Sequence, residues 1–216
     1  MHLKDLDFYI VPNSYITYLQ KAESIKRGFT RVPNMDYGKN HKPKFICGIV
    51  LKINDVSYFV PVSSYKFKKP DNFLICDKNG NTISSLRFNY MFPVPLEIIK
   101  QRRIDIEPDL KYRALLAQEL KYCKDNQDTI RNLAKRTHKR VMLAKSPTLV
   151  KNSCDFSLLE QKCQEYSIQL SQTQQPILPN QIQMDLHKGY NISLLPILAE
   201  GFFSASVPPW DTCGKQ

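Results

Sequence analysis

Glycine is scarce in this chain, at 7 of 216 residues, and neither GxGxxG nor GxxxxGK[ST] occurs. Folds that cradle a nucleotide phosphate on a glycine-rich loop are therefore excluded. Histidine is rarer still, with four residues scattered at positions 2, 41, 138 and 187. Zinc would need paired ligand spacings that these lack, so no metal and no cofactor is expected. The six cysteines contain no CxxC motif. The N-terminus, MHLKDLDFYIVP, is too acidic, and its apolar run too short, for a secretory signal. The cysteines thus read as reduced thiols of a cytoplasmic protein. Long hydrophobic runs are missing as well. Nothing approaches 18 apolar residues, so no membrane span is expected.

What is present is a core and a charge. Apolar residues make up 42% and aromatics 11%, enough to exclude a largely disordered chain. The formal net charge is +11, which favours an anionic partner such as nucleic acid. From Ser171 onward, Lys188 and Lys215 stand against Asp185, Glu200 and Asp211, so the whole positive excess belongs to residues 1–170. The later segment holds five of the 14 prolines and opens on the polar tract Gln172–Gln175. Two units are expected: a basic body over 1–170 and a linker-like, partly apolar extension over 171–216.

The first two-thirds of the body read as strands. Asp7–Val11 is a short strand. Ser14 suits the cap of a helix carrying Tyr15, Tyr18 and Leu19, and residues 23–43 read as a long polar loop. Lys44–Ile53 and Val56–Val62 form a hairpin about Asn54-Asp55. Phe73–Cys76 and Thr82–Leu86 flank Asn79-Gly80, which suits a tight primed turn. Phe88–Val94 reads as a further strand. Three helices follow. The first starts near Pro108, with Tyr112, Leu116, Leu120 and Cys123 on one stripe. The second carries Ile130, Leu133, Ala134, Thr137, Val141 and Ala144. The third, capped by Asp155, carries Phe156, Leu159, Cys163 and Tyr166. The class is α+β, with a compact, curved antiparallel sheet or small barrel.

The stretch from Arg131 to Lys151 contains Arg131, Lys135, Arg136, Lys139, Arg140, Lys145 and Lys151 and no acid. On a helix, 131, 135 and 139 stack at i, i+4, where like charges repel. A polyanion along that face relieves the repulsion; a solvated surface usually mixes signs. Two smaller clusters lie on the sheet half: Tyr37, Lys39, His41, Lys42 and Lys44 before the strong strand, and Ser63, Ser64, Tyr65, Lys66, Lys68 and Lys69 after the next. In an antiparallel hairpin these two clusters meet at one end of the sheet. Lysines and hydroxyls together suit a metal-free phosphodiester site, since a pentacovalent phosphorane needs cations and hydroxyl donors. A loop that merely grips phosphate uses the same residues. Cys47 and Cys76 sit in apolar strands and read as core. Ser157 and Glu160 read as helix-terminus chemistry, and Asp105 and Glu107 as surface acids.

The segments YITYLQK, KPKFICGIVLKIN, YFVPVSSYK, FNYMFPVP, YRALLAQELKYCKDN, TIRNLAKR and CDFSLLEQKCQEY resemble, in this order, the ToxN/AbiQ toxins of bacterial type III toxin–antitoxin systems. The resemblance covers about residues 7–170. It implies a sheet core like that of MazF/Kid-type toxins with added helices. It implies metal-independent RNA cleavage leaving a 2′,3′-cyclic phosphate and a 5′-hydroxyl. The implied partner is a small, repeated RNA pseudoknot that the toxin cuts from its precursor and that joins it in a closed cyclic assembly. The implied substrates are cellular or phage RNA, and the implied role is phage defence by abortive infection. The family's catalytic pattern falls on Tyr37, Lys44, Ser63, Ser64 and Lys66, with Lys39 or Lys42 as alternatives to Lys44. Lys39, Lys42, Lys68, Lys69 and the seven cations of 131–151 are the expected RNA contacts. Ser63 stands where the family often has Thr, and Tyr65 where Pro is frequent. The rival reading is a basic RNA-binding module without catalysis.

Overall fold

The computed structural model describes residues 6–36, 42 and 44–173. The chain runs β1 (Asp7–Ile10), α1 (Asn13–Arg27), β2 (Ile46–Ile53), β3 (Val56–Ser63), β4 (Asn72–Cys76) and β5 (Thr82–Arg87). A single 3-10 turn at Phe88–Tyr90 leads to β6 (Phe92–Pro93) and β7 (Lys100–Gln101). The helices α2 (Leu110–Asp125), α3 (Gln127–Met142), the one-turn α4 (Pro147–Lys151) and α5 (Phe156–Thr173) follow. The α5 helix crosses the position expected to divide body from extension. The rest of the extension lies outside the described residues.

The strands form one antiparallel sheet in the order β4-β5-β3-β2-β1-β7, with β6 also pairing β3. The sheet is open rather than a closed barrel, since β4 and β7 end it and do not pair with each other. The central strand β3 borders β2 along its length, β5 at its end and β6 at its start. Seven of its eight residues are buried, as expected of a strand covered on both faces. Helices α3 and α5 pack on this part of the sheet, and α1 packs on α5. The core is aromatic: Phe8, Tyr15, Tyr58, Phe59, Phe88, Phe92 and Phe156 are all buried.

Several local expectations are corrected. Helix α1 begins after Pro12 with no side-chain cap, so Ser14 lies inside it. It runs to Arg27 and ends on Gly28 in the left-handed region (φ 75°), which takes residues 23–27 out of the expected loop. The buried Glu23 explains that extension. It accepts hydrogen bonds from Arg27 Nη1 (2.9 Å), Thr30 Oγ1 (2.7 Å) and the backbone N–H groups of Arg31, Val32 and Asp155. One carboxylate thus ties the end of α1 to the following loop and to the start of α5. Phe88–Val94 is a 3-10 turn and a two-residue strand rather than one continuous strand. Pro108 precedes α2, whose cap is Asp109, accepting from Tyr112 N–H. Ala144 lies beyond the end of α3, with φ 49°. The Asp155 cap is present, accepting from Leu158 N–H at 3.1 Å.

Candidate active site

The β2–β3 hairpin turns on Asn54 and Asp55, both with positive φ (46° and 65°), as a two-residue primed turn requires. Its register sets Ile46 opposite Pro61, and Val62 N–H donates to Phe45 C=O at 3.3 Å. The residues that lead into β2 therefore lie beside those that end β3. A cleft of about 200 Å³ opens there, walled by Lys42, Lys44, Ser63, Ser64, Tyr112 and Glu119 among others.

The Ser-Ser loop is held from below. Ser63 Oγ accepts the Tyr65 N–H at 3.2 Å, which leaves its own proton for donation. Tyr65 C=O accepts from Ser85 Oγ on β5. Asn72, buried at the start of β4, accepts from Lys69 N–H (2.9 Å) and donates to Phe67 C=O (2.8 Å). Arg87 lies over the rings of Tyr65 (5.0 Å) and Tyr90 (4.3 Å). Phe67 meets Tyr65 edge-on at 5.6 Å yet stays 73% exposed.

The lysines of the cleft differ. Lys42 Nζ donates to Glu107 Oε1 at 2.6 Å, lies 3.7 Å from Asp109 Oδ2 and sits 4.7 Å above the Tyr112 ring. The bond it donates to Glu107 holds this ammonium above its ordinary pKa. Glu107 is clamped from its other side by Arg102, and its carboxyl is held below the usual range, first by Lys42. Lys42 thus brings a fixed positive charge and is unsuited to taking a proton. Glu107, expected to be a surface acid, is buried and orders Lys42. Lys44 is half-buried in the wall.

Glu119 on α2 lines the cleft while only 4% exposed. Burial pushes its pKa up, and the nearby Ser84 hydroxyl offsets this only in part. Ser84 Oγ has no hydrogen bond of good geometry among the described residues. Glu119 was not singled out from the sequence, although a signal was there: it falls three residues after Leu116 and four before Cys123, on the apolar stripe of α2. Glu160 was read as helix-terminus chemistry. Instead it accepts from Tyr58 Oη (2.7 Å) and meets His138 Nε2 at 2.8 Å.

Of the other expected site residues, Tyr37 and Lys39 lie outside the described residues. Lys66, Lys68 and Lys69 are exposed on the loop after β3 and do not wall the cleft. Arg131 and Lys135 wall a second cleft, of about 560 Å³, with Asn54 and Asp55 at the opposite end of the same hairpin. Lys135, Arg136 and Lys139 are exposed on α3, and Arg140 is half-buried. None of these four forms an ion pair with a described residue. Lys145 is exposed before α4, and Lys151 is exposed at its last position.

Residues 7–164 match the family model described as toxin ToxN of the type III toxin–antitoxin system. The chain belongs to the ToxN toxin family. It is 32% identical to the endoribonuclease ToxN of Bacillus thuringiensis subsp. kurstaki over 172 residues, which cover 74% of this chain and 83% of that protein. A solved structure from work on selective toxin inhibition by a non-coding RNA pseudoknot in type III systems superimposes with a TM-score of 0.67. The identity is 29%, over 76% of this chain and 99% of that one. AbiQ, a lactococcal anti-phage endoribonuclease of a type III system, aligns with a TM-score of 0.66 at 27% identity, over 76% and 99% of the two chains. In this ToxN-family chain, the matched region includes both clefts, the Ser-Ser loop and the basic helix.

Proposed function

We propose that this chain is an endoribonuclease toxin of a type III toxin–antitoxin system and that the Lys44/Ser63/Ser64 cleft is its active site. The observation that carries the reading is the meeting of these three residues at one end of the β2–β3 hairpin, within a chain of the ToxN family. The reaction is metal-independent transesterification. A ribose 2′-oxygen attacks the adjacent phosphorus, the bond to the 5′-oxygen breaks, and a 2′,3′-cyclic phosphate and a 5′-hydroxyl result. The Ser63 and Ser64 hydroxyls donate to the phosphoryl oxygens, while Lys44 and the fixed charge of Lys42 offset the growing negative charge. Lys66 and Tyr37 complete the set by analogy with the family pattern.

Lys135, Arg136, Lys139 and Arg140 of α3, which form no ion pair with a described residue, support a second role. They hold the sugar-phosphate backbone of a structured RNA, the antitoxin, which the toxin processes and with which it closes into a cyclic assembly. Lys39, Lys68, Lys69, Lys145 and Lys151 are further RNA contacts in this reading. Free toxin then acts on cellular or phage RNA, in defence against phage by abortive infection. The test is expression in a bacterial host. Wild-type chain arrests growth and degrades RNA; Ser64→Ala does neither, and the repeat RNA encoded with the toxin neutralises the wild type. RNA binding by the purified chain without any cleavage would favour the binding-module reading instead.

A further inference from the structure

Cleavage through a 2′-oxygen leaves an alkoxide at the 5′-oxygen unless a proton reaches it. Lysines and serines serve poorly here: Lys42 is held protonated by two carboxylates, and a serine hydroxyl is a weak acid. Glu119 is placed otherwise. It comes from a different element, α2, and forms part of the wall that Ser63 and Ser64 complete. The residue is 4% exposed, and no cation among the described residues pairs with it. An unpaired buried carboxylate is costly, so such a group favours its neutral acid form. That leaves a proton donor inside a cleft whose other polar side chains are lysines and hydroxyls.

We propose that Glu119 is the general acid of this site and gives its proton to the departing 5′-oxygen. The inference rests on reading the cleft as the RNA-cleaving site. In the step, the 2′-oxygen bonds to phosphorus and the phosphorus–5′-oxygen bond breaks. The 2′-hydroxyl proton passes to water, the 5′-oxygen takes the Glu119 proton, and solvent returns a proton to Glu119. The titratable groups sharing the cleft with Glu119 are Lys42, Lys44 and Tyr112. Burial raises the Tyr112 phenol, so it stays neutral while Glu119 titrates. The hydroxyls lining the cleft from β3, the loop after it and β5 (Ser63, Ser64 and Ser84) do not titrate in that range.

The test compares two substrates of one sequence, a short RNA that the wild-type chain cuts at a single site. In one, the scissile phosphate carries its natural 5′-oxygen. In the other, sulfur replaces that oxygen, giving a leaving group that needs no proton. Glu119→Gln should cut the oxygen substrate at least ~10²-fold more slowly, the range for losing a general acid. It should cut the sulfur substrate at close to the wild-type rate. Equal slowing on both, or full activity on the oxygen substrate, overturns the proposal. Ser64→Ala, run alongside, should be slow on both substrates. If it is not, the reading of the cleft fails, independently of Glu119. The fold is checked by melting. A raised carboxyl pKa in the folded state is a penalty that grows as pH rises above the ordinary carboxylate value, so Glu119→Gln at neutral pH should melt no lower than wild type. If the variant does not fold, the wild-type chain still decides. Its rate on the oxygen substrate should fall as rising pH deprotonates Glu119, while the sulfur substrate lacks that limb. Superimposable pH profiles for the two substrates overturn the assignment.

Discussion

Ser64 and Glu160 illustrate the two kinds of polar residue in this chain, one aimed into a cleft and one committed to the fold. Ser64 is exposed in the wall of the cleft, and its hydroxyl makes no hydrogen bond with a described residue. Ser64→Ala should therefore cost at least ~10²-fold in cleavage with little change in melting, as for loss of one transition-state donor. A single-turnover assay and a melting curve check both halves. Glu160 is the reverse. Burial raises its pKa, but the bonds from His138 and Tyr58 outweigh this and hold it below the usual range. A depressed carboxyl contributes stability that is present above the unfolded value and lost as pH falls through the folded one. The melting temperature should thus drop on acidification through the carboxylate range. Glu160→Gln should melt lower at neutral pH and lose part of that dependence. Identical pH–melting curves for the two proteins would contradict this. At this scale the Ser-Ser element and Lys44 were legible from hairpin topology, because antiparallel pairing alone fixes which ends meet. The commitment of Lys42 was not: Glu107 lies 65 residues away and arrives through the β7–α2 connection, a contact no local spacing encodes.

At the scale of elements, β2 and α3 set the working geometry. A Cβ added at Gly48 would lie 2.1 Å from the Phe59 ring across the hairpin, and β2 bulges between Gly48 and Leu51. Gly48→Ala should destabilise the chain by roughly 1–3 kcal/mol, the usual range for overpacking. The denaturation midpoint should fall, and cleavage with it, because Phe59 and Ser63 share β3. Helix α3 carries the proposed RNA surface. Replacing Lys135 and Lys139 together by Ala should lower the salt slope of RNA binding by about two contacts, at about 0.7–0.9 per contact. Cleavage of saturating short substrate should persist, since neither residue walls the cleft. An unchanged slope would assign the RNA surface to the loop cations 66–69. Elements governed by local chemistry were readable: the Asn54-Asp55 turn, the Asp155 cap and the period of α3. The Asn79-Gly80 turn was not. Only Gly80 has positive φ there, because the Asp77 carboxylate captures the N–H groups of Asn79 and Asn81 and opens the connection to five residues. The extension of α1 to Arg27 escaped notice because its reason, the burial of Glu23, is tertiary.

On the scale of the whole molecule, one hairpin spans two sites: hydroxyls and lysines at one end and a basic helix at the other. The family match ends at residue 164, and 76% of this chain accounts for 99% of the solved relative. Deleting residues 175–216 should therefore leave melting and RNA cleavage intact, and a truncation that unfolds the rest would contradict this. The net charge of the chain predicts anion binding of any kind. The proposed chemistry of the cleft is what separates a nuclease from a general anion binder, and the identity of its products tests that most directly. Purified chain should cut RNA in the presence of EDTA, and mass spectrometry of the fragments should find 2′,3′-cyclic phosphate and 5′-hydroxyl ends, with a single 2′-deoxy substitution at the scissile nucleotide abolishing the cut. Fragments ending in 3′-hydroxyl and 5′-phosphate, cleavage across the deoxy position, or loss of activity in EDTA would contradict the account.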